Sequence, residues 1–409
     1  MLTALFALAF LQASAAQPVA PAAPAATTPS TLDPALKARF DKAADYSKDH
    51  AGRGVLIQQH GKIIYERYDN GGAADTPQPL ASGTKSFTGV AAMFAIQDGL
   101  ITLDEKVADT ITEWKSDPKK SQITVRHLLT LSSGLKADGD GVKERNRDLG
   151  AGKRSLIDAA AGGLKQDWFK EAIESPMTGT AGGQFEYGGN HYYAFGEFLE
   201  RKLKASKLPE KTVWDYYTAR IFKPIGLDVA RIGKDKAGHP NLPGGASLTT
   251  HEWVKFGQFV LDNGAWTNSK GEKKQLLKPE LLAQCFVPSE RNRMYGLTFW
   301  LGESGQEASN PFASGSDSDK DGTKGAIRER IMERMKKNAN TTGAAGVDKD
   351  GKPIQVHMAA GLGGQRLYII PSEDMVIVRF AKIGDQSGRT YTDRAFLANL
   401  AEKPSEPRP

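Results

Sequence analysis

LASGTKSFTGVAAMFAIQDGLITLDEKVADT, residues 80–110, is the stretch on which the reading of this chain turns. Phe87, Val90, Ala91, Phe94 and Ala95 recur at i, i+3, i+4, i+7 and i+8, which predicts an amphipathic helix. Ser82 and Lys85 stand at its start, behind a loop carrying Pro77 and Pro79. Residues three apart on a helix share a face, so the Lys85 amine can approach the Ser82 hydroxyl. A serine is a poor nucleophile until a base takes its proton, and a lysine serves only if burial or a neighbouring cation lowers its pKa. The helix N-terminus adds a dipole and a free backbone N–H, both useful to an oxyanion. Alone, Ser-x-x-Lys is a weak signal, because an N-cap serine ahead of a solvent-facing lysine reads the same way.

Working outward, a first helix is expected from Leu32 to about Lys48, and GVLIQQHGKIIYERYD (54–69) reads as a hairpin turning at His60-Gly61-Lys62. The middle, from Ser82 to about Gly264, is mostly helical by period, with a second stripe over Trp253 to Leu261. Strand patterning returns after residue 352, with RLYIIP (366–371) and MVIVRFA (375–381) separated by Ser372-Glu373-Asp374. A last helix is expected from about Tyr391 to Glu402. These segments predict an α/β protein of the α+β kind: an antiparallel sheet formed by N- and C-terminal strands, flanked by helices, with an all-helical lobe inserted. The polar stretch at about 303–352, with one short amphipathic helix around Ile327 to Met335, reads as a surface insertion.

A chain of 409 residues is long enough for a substantial core, and 39% hydrophobic with 25% charged residues excludes a multi-span membrane protein. The net charge of +6 comes from basic residues interleaved with acidic ones, as in KERNRD (143–148), which argues against nucleic-acid binding. With Cys285 as its single cysteine the chain can form neither an intrachain disulfide nor a CxxC site. Residues 1–30 lack any charge, and the apolar run Leu2 to Leu11 followed by Ala13-Ser14-Ala15-Ala16 reads as a signal peptide over 1–16. A Pro/Ala-rich leader over 17–31 follows, and the main domain is placed at 32–405. A periplasmic or secreted bacterial location is the expectation, without stable membrane insertion after cleavage.

The block 80–110, followed by ITVRHLLTLSSGL (123–135), resembles the serine hydrolases of the class C β-lactamase type, which include esterases, D-amino-acid peptidases and amide hydrolases. The similarity continues through GGQFEYGGNHYYAFGEFLERKL (182–203) and LPGGASLTTHEWVKFGQFVLDNGAW (242–266), and ends at AAGLGGQRLYIIPSEDMVIVRF (359–380). This resemblance implies a β-lactamase/transpeptidase-like fold and acyl transfer through a covalent intermediate, with neither metal nor organic cofactor. It implies that Ser82 is the nucleophile, Lys85 the helical lysine and Tyr187 the catalytic tyrosine. A phenol beside an ammonium shares a proton easily, so Lys85 and Tyr187 could relay the Ser82 proton to the leaving group, with the first acceptor left open.

Two departures from the family pattern matter. Where the family often has Tyr-x-Asn, this chain has Tyr187-Gly188-Gly189, with Asn190 one place late as a candidate substitute if the backbone turns. Where lactamases and D-Ala-D-Ala peptidases carry Lys-Thr/Ser-Gly, this chain has Ala359-Ala360-Gly361. Losing that cation removes a charge-assisted contact to a substrate carboxylate worth about 1.5–3 kcal/mol. The AxGxGGQ form instead resembles the esterase and aminohexanoate-oligomer hydrolase branches. In it Gly361 allows close approach and the Leu362 N–H completes an oxyanion hole with that of Ser82. His357 and Arg366 are further candidates for binding a polar substrate, although a structural role is the plainer reading of both.

The expected activity is carboxylesterase or amide hydrolase on a small-molecule or peptide-like substrate. β-Lactamase or D-Ala peptidase activity is the alternative within the same chemistry, with Arg366 or the insertion supplying charge. A catalytically silent protein binding peptidoglycan or a partner is the alternative of another class. The seven histidines show no HExxH or paired spacing, so no zinc site is expected, and His127 reads as a satisfied structural histidine. Asp317 to Gly322 imitates the start of a calcium loop but has Arg328 at the twelfth position, and Asp348 to Gly351 reads as a turn. Cys285 reads as a buried packing residue.

Overall fold

The computed structural model describes residues 32–136, 167–303, 354–385 and 387–401. The signal peptide and leader, the body of the polar insertion with its helix, the calcium-like run and the turn at 348–351 lie outside the described residues.

Helix α1 (Pro34–Asp49) starts where Asp33 accepts the Ala35 and Leu36 amides at 3.0 and 3.1 Å, with Pro34 in the first turn. It buries Phe40, Ala43, Ala44 and Ser47, one stripe. Strands β1 (Gly52–Gln59) and β2 (Lys62–Tyr68) follow, joined by His60 and Gly61 at φ 51° and 71°. Two positive φ values in a two-residue loop are the hairpin geometry that matches strand twist. Short strands β3 (Gln78–Pro79), β4 (Arg231–Ile232) and β5 (Ala246–Leu248) form a small sheet in the order β3-β5-β4, and β6 (Ala265–Thr267) pairs with β7 (Lys273–Gln275). The main sheet is completed by β8 (Trp300–Glu303), β9 (Gln355–Gly361), β10 (Gln365–Ile370) and β11 (Met375–Ala381). Its order is β2-β1-β11-β10-β9-β8, antiparallel throughout, so strands from both ends of the chain build one sheet as the sequence predicts.

Between the hairpin and β8 lie helices α2 (Lys85–Gln97), α3 (Val125–Leu129), α4 (Trp168–Glu174), α5 (Asn190–Ala205), α6 (Val213–Tyr217), α7 (Thr250–Leu261) and α8 (Pro279–Leu282). Helix α9 (Asp393–Ala401) packs against α1. The amphipathic stripe expected of α2 is only half of what the structure contains. Every residue from Lys85 to Ala95 is buried, so α2 is a core helix, apolar on all sides but for its first turn.

Register assigns the two faces of the sheet. Leu56, Val378, Leu367 and Ala359 form one cross-strand row, and Val55, Arg379, Arg366 and Ala360 the next, so the two rows point to opposite faces. Helix α7 covers the first face so closely that a Cβ on Gly257 would lie 2.4 Å from Val376. Helices α1 and α9 cover the second, where Arg379 donates to Ser47 Oγ at 2.9 Å and Arg366 to Asp393 at 2.6 Å.

Candidate active site

Ser82 lies in the 3₁₀ turn Ala81–Thr84 that runs directly into α2. In such a turn i and i+3 eclipse, which brings the two side chains together more directly than an α-helix would. Lys85 Nζ donates to Ser82 Oγ at 3.1 Å and to the Pro243 carbonyl at 2.7 Å. Ala81, immediately before Ser82, is held at φ 47°, a left-handed conformation unfavourable for an alanine. The turn survives it because Thr84 Oγ1 donates to Ala81 O at 2.8 Å and accepts the Ala246 amide at 3.2 Å. Sites held in such strain tend to be functional ones.

The lysine is enclosed on three sides. Its ammonium lies 4.9 Å from the centroid of the Tyr187 ring and 5.3 Å from that of Tyr192, and its residue is only 5% exposed. Tyr192 bonds Tyr295 oxygen to oxygen at 2.7 Å, and burial pushes both phenols well above their ordinary pKa, so they are neutral walls. Tyr187 is half-buried, stacked on Trp300 at 5.8 Å and flanked by Phe185 at 6.4 Å. The structure thus brings Ser82, Lys85 and Tyr187 into one cluster from two separate sequence blocks.

Gly361 ends β9 against this turn: a Cβ there would lie 2.0 Å from the Leu80 carbonyl. That approach brings the end of β9, the residue before Leu362, against the loop carrying Ser82. Ala359 and Ala360, standing where the strand lysine is missing, are buried and bring no charge.

Three candidates are placed elsewhere. The Asn190 amide nitrogen donates to Lys136 O at 2.8 Å and Ser175 Oγ at 3.1 Å, so it ties α5 to neighbouring chain and does not replace the family's asparagine beside the lysine. Neither Gly188 nor Gly189 takes the positive φ that glycine alone allows freely, Gly189 having φ −85°. His357 lies flat on Phe286, with centroids 3.9 Å apart and planes at 4°, and burial lowers its pKa to about 4. Arg366 points to the opposite face of the sheet, where both its Nε and Nη2 meet Asp393. Burial disfavours its charge, but Asp393 outweighs that and leaves its pKa raised. It cannot supply the missing substrate cation, because its charge is already matched.

Sequence reasoning missed two supports. Pro243 O, which orients Lys85, is a backbone carbonyl and has no side-chain signature. His191 is buried between Ser133 Oγ at 2.8 Å and the Glu186 carbonyl at 2.9 Å. A carbonyl only accepts, so Nε2 carries the proton there, fixing the residue just before Tyr187. His127 is structural as expected, its Nδ1 accepting the Thr124 amide in a capping box. Cys285 is wholly buried, and burial raises its thiol pKa. Among the described residues, Asp167, Asp235 and His239 form a group with metal-ligand spacing. Asp235, however, already accepts the Trp168 and His239 amides at 2.7 and 2.8 Å, the work of a loop anchor.

A family model described as Beta-lactamase matches residues 36–401. Protein flp of Staphylococcus aureus is 27% identical over 197 residues, a match spanning 45% of this chain and 35% of that protein's length. Among solved structures, a Bacillus anthracis protein assigned by inference as a 6-aminohexanoate-dimer hydrolase is similar with a TM-score of 0.58 and 18% identity, over 87% of this chain and 79% of that one. EstCE1, described as a hydrolase with promiscuous acyltransferase activity, is similar with a TM-score of 0.55 and 14% identity, over 90% of this chain and 98% of that one. At these identities the two structures speak for the fold.

Proposed function

The chain belongs to the Beta-lactamase family, and from that premise we propose that it is a serine hydrolase cleaving a neutral ester or amide through an acyl-enzyme on Ser82. The observation that carries this reading is the position of Lys85, bonded to Ser82 Oγ while held by Pro243 O and two aromatic rings. A lysine used only for solubility would not be buried against a serine hydroxyl.

In the proposed mechanism Ser82 Oγ attacks the acyl carbonyl, and its proton passes into the Lys85 and Tyr187 pair. The carbonyl oxygen becomes an oxyanion between the Ser82 and Leu362 amides. The proton returns to the alcohol or amine as it leaves. Water then attacks the acyl-Ser82 ester, giving up its proton to the same pair, and the acid departs with Ser82 restored. Export as a periplasmic or secreted protein is part of the proposal and rests on the apolar run Leu2 to Leu11 and the small residues after it.

Preference for neutral substrates over carboxylate-bearing ones follows from charge. The strand lysine of lactamases is replaced by Ala359, and Arg366 is committed to Asp393. The test compares wild type with Ser82→Ala on a short-chain nitrophenyl ester and a chromogenic cephalosporin. Ester turnover abolished by the substitution supports the reading. Preferential cephalosporin turnover would move the assignment to β-lactamase, and ester turnover unchanged in Ser82→Ala would overturn the nucleophile.

A further inference from the structure

Gly361, Leu362, Gly363 and Gly364 form the turn between β9 and β10. The Gly364 amide donates to Gly361 O at 3.2 Å, and Gly363 takes φ 78° at the third position, the pattern of a type II turn. Three buried side chains hold the carbonyls of this turn from behind. Arg366 Nη1 donates to Gly361 O at 2.9 Å, Gln365 Nε2 to Leu362 O at 3.4 Å, and Arg379 Nη1 to Gly364 O at 2.7 Å. The arginines are themselves fixed: Asp393 holds Arg366 and accepts Tyr368 OH at 2.6 Å, and Arg379 donates to His50 O at 2.7 Å at the end of α1.

The Gly361 carbonyl and the Leu362 N–H belong to one trans peptide unit, so they point in opposite directions. Gly361 O is drawn inward, toward β10 and the arginine. The Leu362 N–H is thereby turned outward at the edge of β9, which β8 leaves uncovered beyond Met358. At this same end of β9 the face at Gly361 meets the loop before the nucleophile: a Cβ there would lie 2.0 Å from the carbonyl of Leu80, two residues from Ser82. A cation on the carbonyl also polarises the amide, making its N–H a stronger donor.

We propose that Arg366 is a positioning residue that aims the Leu362 N–H at the reaction's oxyanion through the Gly361–Leu362 peptide plane, with Asp393 fixing the arginine. The inference rests on the hydrolase reading above. Arg366 thus serves the site without touching substrate, which also accounts for an arginine placed on the wrong face of the sheet for binding one.

The experiment uses the full chain, with Arg366→Lys and the charge-balanced pair Arg366→Met/Asp393→Asn. Active sites are counted by end-point titration with a fluorophosphonate, so that kcat refers only to folded enzyme. Misaiming one oxyanion donor is expected to lower kcat on a nitrophenyl ester by about 10- to 100-fold with KM nearly unchanged. The inhibition constant of a phenylboronic acid, which forms a tetrahedral adduct on the serine, should weaken by the same factor as kcat/KM. Arg366→Lys, which can still donate to Gly361 O, should recover part of both. Per-site kcat and boronic-acid affinity like wild type in both variants would overturn the proposal, as would a rise in KM at constant kcat. If the double variant yields no titratable sites, Arg366→Lys decides alone, and parallel partial losses of kcat and boronic-acid affinity are then required. Failure of the underlying reading is seen separately, as wild type that takes up no fluorophosphonate at Ser82.

Discussion

Tyr187→Phe removes one oxygen and leaves the ring. The ring packs with Trp300 at 5.8 Å, with Phe185 at 6.4 Å and with the Lys85 ammonium at 4.9 Å, and all three contacts remain in the variant. The variant should therefore keep its packing and lose at most about 1.5 kcal/mol of stability, the scale of one hydrogen bond. Its catalytic loss should be that of a proton-relay group, about 10²- to 10⁴-fold in kcat, or about 3–5 kcal/mol in the barrier. Tyr187→Ala gives the contrasting case: losing two aromatic pairs and the cation contact should cost about 2–4 kcal/mol of stability as well. Urea unfolding curves for the three proteins, with single-turnover acylation by a nitrophenyl ester, separate the two effects. Tyr187→Phe turning over within about threefold of wild type would refute the relay, since general acid–base catalysis contributes far more than that.

Further outcomes follow from the same geometry. Gly361→Ala places a Cβ 2.0 Å from Leu80 O, so β9 must move. About 100-fold or more of kcat should be lost with about 1–3 kcal/mol of stability, measured by the same two assays. Burial lowers the His357 pKa from 6.5 to about 4, so the neutral ring favours folding above pH 6.5 and that contribution is lost as pH falls toward 4. At most about 3 kcal/mol is involved, and urea midpoints across this window should fall less steeply in His357→Gln than in wild type. Cys285, fully buried and with its thiol pKa raised, should resist iodoacetamide in the native protein and react in urea. Labelling of native protein accompanied by loss of ester turnover would contradict its packing role.

Much of the fold is legible in local pattern. The turn at His60-Gly61 and the strands on either side of Ser372-Glu373-Asp374 appear within a residue or two of where alternation and turn chemistry set them. The burial of α2 on all sides was not legible, because its small residues Gly89, Ala91, Ala92 and Ala95 look permissive in sequence and only the packing around them shows why they are small. Gly89 is the plainest case: a Cβ there would lie 2.4 Å from Leu297 O. At the site, Ser82 and Lys85 share one turn and could be paired by spacing, whereas Tyr187 was reached only through resemblance. For Arg366 a structural role was the plainer reading, but its partner was not legible, because that depends on strand register and on Asp393, 27 residues later. A one-residue difference in register decides whether such a side chain faces substrate or the opposite layer.

Everything above depends on Ser82 Oγ carrying the acyl group. Its most direct test is mass spectrometry of protein quenched during turnover of a slow ester, or treated with a fluorophosphonate, followed by peptide mapping. The expected result is a single adduct on Ser82, of the acyl group for the ester or of the reagent less HF for the fluorophosphonate, absent from Ser82→Ala. An adduct on another residue that disappears with that residue's substitution, while Ser82→Ala still turns over ester, would contradict it.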